Sequence, residues 1–267
     1  MHILIILFVV FLLFPLIWVL ATSLKPTPEI YSGQPAILPR TFTLDHYRSV
    51  IEGQKVLLSM LNSTIVGIVS TIIVIIIAIP SAYAMVRFKS AANNMMLGWI
   101  LVSQIFPVIL VMIPLYVILR TMGLTDTLTG LTLVYVIWSL PFVLWMMHGY
   151  LKGIPIELEE AAVVEGAGRL QVIFKVLMPL LMPAIGASAL FSFISAWNEF
   201  FFAFVLMKSS SLATLQVELA RYTGMEGQAR TGPLAAASVI STLPSLLLFV
   251  FMRKWLTTGL VSGALKG

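Results

Sequence analysis

An acidic run followed by two glycines is the part of the chain whose residue types and spacing best suit chemistry. Three glutamates stand in the first turn of a helix that Pro155 can begin, where acidic side chains complement the positive helix end. Gly166 and Gly168 interrupt this helix, and a second helical pattern follows, so two short helices should meet at a Gly-Ala-Gly corner. The three glutamates are Glu157, Glu159 and Glu160.

The side chains around this corner suit contact with another surface. Ala161 and Ala162 are small enough to let a partner approach the backbone, and Gly166 permits a turn that a side chain would obstruct. Glu160 offers a carboxylate to a cation. In the second helix, one face is apolar, and it consists of Leu170, Ile173, Phe174 and Leu177. The pattern therefore indicates recognition of a partner.

Catalytic and cofactor chemistry has little support in the sequence. No Gly-Lys dipeptide occurs, so the loop that cradles ATP phosphates is absent. There is no cysteine and the three histidines are dispersed, which argues against a metal site. Basic residues are scattered, which argues against nucleic acid as a partner. We expect no catalytic residue, and no metal or cofactor bound by this chain.

The composition is that of an integral membrane protein. Hydrophobic residues make up 60% of the 267 positions and charged residues 10%, where a globular protein has about 25% charged residues. Mean hydropathy is +1.03. Six apolar stretches each reach the roughly 20 residues that cross a bilayer as a helix. We expect a single all-α domain over 1–267 with six transmembrane helices, at about 3–24, 60–86, 94–119, 128–150, 180–207 and 231–252.

The remaining segments follow from these spans. The acidic corner falls in a loop over 151–179, and a tail covers 253–267. Five prolines lie within the spans and predict kinks: Pro80, Pro107, Pro114, Pro141 and Pro244. Charge does not decide the orientation, because eight Lys or Arg residues fall on each side when the N-terminus is placed inside.

One acidic residue, Glu199, lies inside a predicted span. An ionisable side chain at membrane depth is costly, and it normally pairs with another group or faces a cavity. Glu199 follows Trp197 and Asn198. These residues therefore belong either to a solute pathway or to a hydrogen-bonded interface between helices.

Three parts of the sequence resemble one family. Glu160-Ala161-Ala162 and Glu165-Gly166-Ala167, with prolines downstream, resemble the EAA loop of ABC-importer permeases, although Asp is usual at position 165. The run from Trp197 to Phe200 resembles a fifth-helix motif of sugar permeases. The ending Gly259-Leu260, Gly263-Ala264 and Lys266-Gly267 is similar to that of maltose-type inner-membrane permeases.

The resemblance implies a type I ABC-importer permease, a transport subunit without enzymatic activity that forms half of a pathway for a sugar or related solute. It implies a second, different permease subunit, two ATPase subunits that bind ATP and magnesium, an extracytoplasmic solute-binding protein, and membrane lipid. It places the chain in a bacterial or archaeal cytoplasmic membrane with both termini inside. It assigns ATPase coupling to Glu160, Ala161, Ala162, Glu165, Gly166 and Ala167, and tail contact with the ATPase to Gly259, Gly263 and Lys266.

Three alternatives stay open. The solute could be something other than a sugar, such as a glycerol phosphate. A secondary transporter should show repeated halves, and no internal repeat is visible. A membrane scaffold would leave the acidic loop and the patterned tail unexplained.

Overall fold

The computed structural model describes residues 2–33, 36–53, 55–88, 91–224 and 230–264, and these residues form helices and connecting segments. The helices run in chain order over His2–Ser23 (α1), Thr27–Ile30 (α2), Asp45–Glu52 (α3), Lys55–Arg87 (α4), Ala91–Ser103 (α5), Val108–Thr121 (α6), Leu128–Lys152 (α7), Glu157–Val164 (α8), Arg169–Gln171 (α9), Met178–Asn198 (α10), Phe201–Leu206 (α11), Leu215–Arg221 (α12) and Thr231–Ala264 (α13). A π-helix covers Val172–Leu177 and a 3₁₀ turn covers Ser210–Leu212. The all-helical prediction is confirmed.

Five helical segments of the described residues are long and apolar enough to cross a membrane. They are α1, α4, α7, the continuous helical run Arg169–Asn198, and Thr231–Arg253 within α13. They overlap the first, second, fourth, fifth and sixth predicted spans. Helices satisfy most of their own backbone hydrogen bonds, which is what a hydrocarbon medium requires.

The third predicted span is two helices in the structure. Where one helix over 94–119 was expected, α5 ends at Ser103 and α6 begins at Val108. Pro107 stands just before α6 with an extended ψ of 128°. Proline has no N–H to donate and disfavours helical angles in the residue before it, so the helix stops here. Pro114 lies within α6 without ending it.

The fifth span also stops earlier than predicted. The helix was expected to continue past Glu199 to residue 207, but α10 ends at Asn198 and Glu199 is extended, with φ −71° and ψ 130°. The short helix α11 then follows over Phe201–Leu206. The carboxylate of Glu199 explains this correction, because it hydrogen-bonds the N–H groups that begin α11.

The long helix α4 lies at the centre of the bundle and packs against α7 and α10. Small residues allow these helices to approach, and a Cβ at Gly67 of α4 would lie 3.0 Å from the ring of Phe193 on α10. By contrast, α1 packs on α13 and leaves its apolar side chains exposed, as at Ile3 (74%) and Phe11 (75%). This exposed surface suits lipid or a neighbouring membrane subunit.

Asp126 joins two loops at one end of the bundle. Its carboxylate accepts hydrogen bonds from the backbone of Lys208 (2.8 Å) and Ser209 (2.9 Å) and from the Ser209 hydroxyl (2.6 Å). Its N–H donates to the carbonyl of Leu206 at 3.0 Å. The bonds from Ser209, with the charge and N–H of Lys208, lower the pKa of Asp126 below its ordinary value.

This arrangement predicts a pH-dependent stability effect of Asp126→Asn. The folded-state pKa is depressed, so the carboxylate stabilises the fold above the ordinary aspartate pKa of about 3.9, and this contribution disappears as pH falls through the lower folded-state value. We expect the variant to lose roughly 1 kcal/mol at neutral pH, because the bonds of Asp126 are at most partly buried and the asparagine oxygen can still accept from the backbone. The measurement is thermal unfolding in detergent across pH.

Asp45→Asn is the matched control, because Asp45 is exposed at the start of α3. It should leave the unfolding temperature close to that of the wild type. Equal neutral-pH stability of Asp126→Asn and wild type would contradict the role given to Asp126.

Candidate functional site

The predicted corner between two short helices is confirmed. Helix α7 ends at Lys152 with Gly153 as its cap, and α8 carries three acidic residues in its first turn. A tight turn follows at Gly166, and the chain becomes helical again at Arg169. Gly168 precedes that helix in extended conformation, and its N–H donates to the side chain of Gln171 at 3.0 Å.

Gly166 is required by backbone conformation. Its φ is +89°, in the left-handed region that side chains disfavour, while a Cβ there would meet no atom of the described residues within 4 Å. The N–H of Ala167 donates to the carbonyl of Ala162 (2.9 Å), and that of Gly166 to Val163 (2.9 Å). This pair of bonds is the Schellman pattern that ends helices at a glycine.

The corner presents an exposed surface of mixed character. Glu160, Ala161 and Glu165 are exposed, whereas Ala162 and Ala167 are half-buried. Val163 and Val164 are 56% and 88% exposed, which is unusual for valine at a helix end. We call the exposed residues Glu160, Ala161, Val163, Val164 and Glu165 the docking face. Its carboxylates and apolar groups suit binding of a partner with a basic and apolar surface.

The adjacent acid, Glu159, points into the protein. It is buried at 7% exposure, and its carboxylate binds Arg87, the last residue of α4, with Nε and Oε1 2.6 Å apart. The Tyr83 hydroxyl donates to the other carboxylate oxygen at 3.0 Å. Sequence reasoning missed this contact, and the one signal for it was a lone arginine at the end of the second apolar stretch.

Two hollows border this contact. One, of about 540 Å³, lies between α4 and the loop and is lined by Arg87, Glu159, Glu160 and Arg169 among others. The second, of about 390 Å³, is apolar and includes Tyr83, Leu170 and Phe174.

All four residues of the predicted apolar face, Leu170, Ile173, Phe174 and Leu177, line the apolar hollow. Leu177 is buried at its base, whereas Leu170 and Phe174 are 70% and 64% exposed. The π-helix over Val172–Leu177 changes the helical register here. Pro179 follows it and cannot donate the hydrogen bond that would continue a regular helix through this point.

The second candidate cluster lies at the break after α10. Trp197 is buried and stacks on Phe193, with ring centroids 5.6 Å apart, whereas Asn198 is exposed and donates to the carbonyl of Ile194 at 3.0 Å. Glu199 accepts from the N–H of Phe202 (2.8 Å) and Ala203 (3.2 Å). The Tyr135 hydroxyl on α7 donates to it at 2.9 Å. In this structure Glu199 therefore connects two helices and begins a third.

The tail is continuous with the last helix. The backbone of α13 is helical to Ala264, so Gly259 and Gly263 lie within it, and Lys266 falls outside the described residues. Within the described residues, no group of three or more His, Cys, Asp or Glu residues could hold a metal ion.

Comparison with known sequences identifies a family. The profile of the binding-protein-dependent transport system inner membrane component matches residues 74–260, which include the acidic corner. The chain is 47% identical over 229 residues to the ABC transporter permease protein ORF1 of Streptomyces antibioticus, covering 86% of this chain and all of that protein. It is 33% identical to the trehalose transport system permease protein SugB of Mycobacterium tuberculosis, covering 96% and 93% of the two chains.

A third relative and a solved structure agree. The trehalose/maltose transport system permease protein MalG of Thermococcus litoralis is 32% identical, with 98% of this chain and 94% of that protein covered. The fold matches a chain of a bacterial ABC transporter involved in the import of the acidic polysaccharide alginate, with a TM-score of 0.81 and 24% identity. That match covers 96% of this chain and 94% of the other.

Gly166→Ala should increase the fraction of the protein in which the turn at Gly166 is open. A Cβ in the left-handed region costs about 1–2 kcal/mol, which corresponds to a roughly 5- to 30-fold larger open population. The measurement is the rate of proteolytic cleavage in the loop of membrane-inserted protein, normalised to the amount inserted. Gly168→Ala is the control, because Gly168 has φ −71° and open space around it. Equal cleavage of both variants would contradict the conformational role of Gly166.

Glu199→Leu should destabilise the bundle, because it leaves the N–H groups of Phe202 and Ala203 and the Tyr135 hydroxyl without an acceptor. Each donor left buried without a partner costs about 1–3 kcal/mol. Glu199→Gln should lose less, because its amide oxygen can still accept one of the backbone bonds. Tyr135→Phe, which removes one donor and leaves the carboxylate bound to the backbone, should have the smallest effect. Thermal unfolding in detergent ranks the three variants, and wild-type stability of Glu199→Leu would contradict the assignment.

Proposed function

The chain belongs to the family of binding-protein-dependent transport system inner membrane components, and on that premise we propose that it forms half of the pathway of an ATP-driven sugar importer and couples to a separate ATPase through its 151–179 loop. Membership makes it a transport subunit and not an enzyme. Its apolar helices make it a multi-pass membrane protein.

The observation that carries this proposal is the docking face. Its acids and valines are open to solvent on α8, although the rest of the loop is fixed by a glycine-terminated turn and by the buried contact of Glu159 with Arg87. A surface that is rigidly held and apolar in part is what a specific interface requires. We assign Glu160, Ala161, Ala162, Glu165, Gly166 and Ala167 to contact with the ATPase.

A sugar is the proposed solute. Relatives that match almost the whole chain are named for transport of trehalose, of trehalose/maltose and of diacetylchitobiose. A non-sugar solute such as a glycerol phosphate remains the second candidate, and uptake assays with both classes separate them.

We propose four kinds of partner. One subunit leaves half of a pathway unlined, so a second, different permease completes it, and the exposed apolar side chains of α1 and α6 suit that subunit or lipid. Two ATPase subunits hold ATP and magnesium. A solute-binding protein delivers the sugar from outside, as the name of the family implies. The tail, with Gly259, Gly263 and Lys266, contacts the ATPase subunits.

The orientation follows from the ATPase. The loop that binds it must be cytoplasmic in a bacterial or archaeal cell, which places both termini inside when the pair α5 and α6 together makes one of six crossings. ATP binding closes the ATPase pair, the loop moves with it, and the pathway changes from inward-open to outward-open, where it meets the loaded binding protein. Hydrolysis reverses the change.

The test is reconstitution of the complete importer in vesicles. Wild type should show sugar uptake that depends on ATP and on the binding protein. Glu160→Ala should weaken ATPase binding by about 3–5 kcal/mol, because it removes one partner of an ion pair that becomes buried in the interface. ATPase bound per inserted permease is the measurement.

Glu157→Ala is the matched control, since Glu157 is an exposed glutamate of the same helical turn. It should bind the ATPase as wild type does. Uptake by the wild-type chain without any ATPase would overturn the proposed function, and normal binding by Glu160→Ala would remove that residue from the interface.

A further inference from the structure

The end of α4 is fastened to α8 by a set of contacts that converge on one carboxylate. Arg87 binds Oε1 of Glu159 through Nε at 2.6 Å, and its second guanidinium nitrogen donates to the carbonyl of Ile154 at 3.0 Å. The Tyr83 hydroxyl donates to Oε2 of Glu159 at 3.0 Å. We call Tyr83, Arg87 and Glu159 the α4–α8 bridge.

The bridge is buried, and its two charged side chains are in direct contact. The side chains of Arg87 and Glu159 are 11% and 9% exposed, whereas those of the surface pair Arg48 and Glu52 are 78% and 66% exposed. Two charges removed from water must keep their mutual contact, because losing one partner leaves the other buried and unpaired. Both carboxylate oxygens are occupied, so Glu159 is fixed in position as well as in charge.

Glycines lie at both chain connections of α8. On one side it follows Gly153, the cap of α7, and on the other it leads into the turn at Gly166. The connection to α7 runs through the buried Ile154, and α8 also packs on the π-helix that leads into α10. The bridge is different, because it joins α8 directly to a helix that is remote in sequence.

Helix α4 is positioned to transmit a displacement of α8 to the other helices of the bundle. Helix α4 packs against both α7 and α10 through much of the bundle. Below the bridge, Tyr83 packs on a core cluster formed by Leu151, Ile154, Leu177 and Leu181, where α4, α7 and the start of α10 meet. A movement of Arg87 therefore displaces the helix that the other two spans pack against.

We propose that Tyr83, Arg87 and Glu159 are positioning residues that make α8 and α4 move together, so that ATPase-driven displacement of the loop enters the transmembrane bundle through α4. This inference rests on the proposed function. It assigns to Glu159 a task separate from that of its neighbour Glu160, since Glu159 is buried against α4 and Glu160 is exposed on the docking face.

The test compares coupling with assembly in the reconstituted importer. Per assembled complex, Glu159→Gln and Arg87→Gln should keep the basal hydrolysis of the ATPase, yet stimulation by the sugar-loaded binding protein should fall about tenfold, within the usual range of coupling between sites. The double variant should be no worse than the poorer single variant, because the two residues act through one contact. Tyr83→Phe removes one hydroxyl and should reduce this stimulation about two- to fivefold. Because it leaves no charge unpaired, it tests the bridge even if the charge variants misfold.

Arg48→Gln is the control for losing an arginine from an ion pair, and it should leave stimulation unchanged. A purely structural role would reduce the amount of complex and leave the ratio of stimulated to basal hydrolysis at the wild-type value. That outcome, in Glu159→Gln and Tyr83→Phe alike, would overturn the inference while wild-type uptake still upheld the proposed function.

A distance measurement tests the mechanism directly. The chain has no cysteine, so spin labels can be attached at Ala84→Cys and Glu157→Cys without other changes. Both positions are exposed, one on α4 and one on α8. The distance should stay constant between nucleotide-free and ATP-bound complexes and should shift or broaden in Glu159→Gln. A distance that changes between the two states of the otherwise wild-type complex would refute joint movement.

Discussion

Every backbone N–H and C=O group inside the hydrocarbon layer must find its partner within the protein, because no water is present to bind it. This constraint produces the long helices α4, α7 and α13, and it also limits where they can stop. The break after α10 is possible because the carboxylate of Glu199 accepts the N–H groups of Phe202 and Ala203. A costly ionisable side chain is thus retained at a point where the chain needs an acceptor.

Glu159 is the second acid that joins helices, and its carboxylate also accepts hydrogen bonds on both oxygens, here at the end of the bundle. Like Glu199, it accepts a hydrogen bond from a tyrosine on a helix distant in sequence. The two sites differ in their remaining partners, which are backbone N–H groups for Glu199 and a guanidinium for Glu159. Glu199 therefore fixes the backbone at the start of α11 and joins it to α7, whereas Glu159 joins α8 to α4 through an ion pair.

The sequence predicts what is local in this structure. Apolar runs identify the spans, and the acidic turn with Gly166 identifies the corner, because helix starts and left-handed glycines depend on neighbouring residues. It does not predict the break at Pro107, since prolines at 80, 114, 141 and 244 lie within helices that continue. Nor does it predict the partner of Glu159, because that contact spans 72 positions and depends on how α4 packs.

Adjacent residues of a helix project about 100° apart, and in α8 the Glu159 carboxylate is buried against Arg87 while Glu160 is exposed. One turn of α8 is thereby able to hold a partner on its outer side and the bundle on its inner side. Force applied at the docking face then crosses a single helix diameter, about 10 Å, before it meets a buried ion pair. Because that pair resists separation, it gives α8 a direct connection to α4 through Arg87, in addition to its packing on the π-helix that leads into α10.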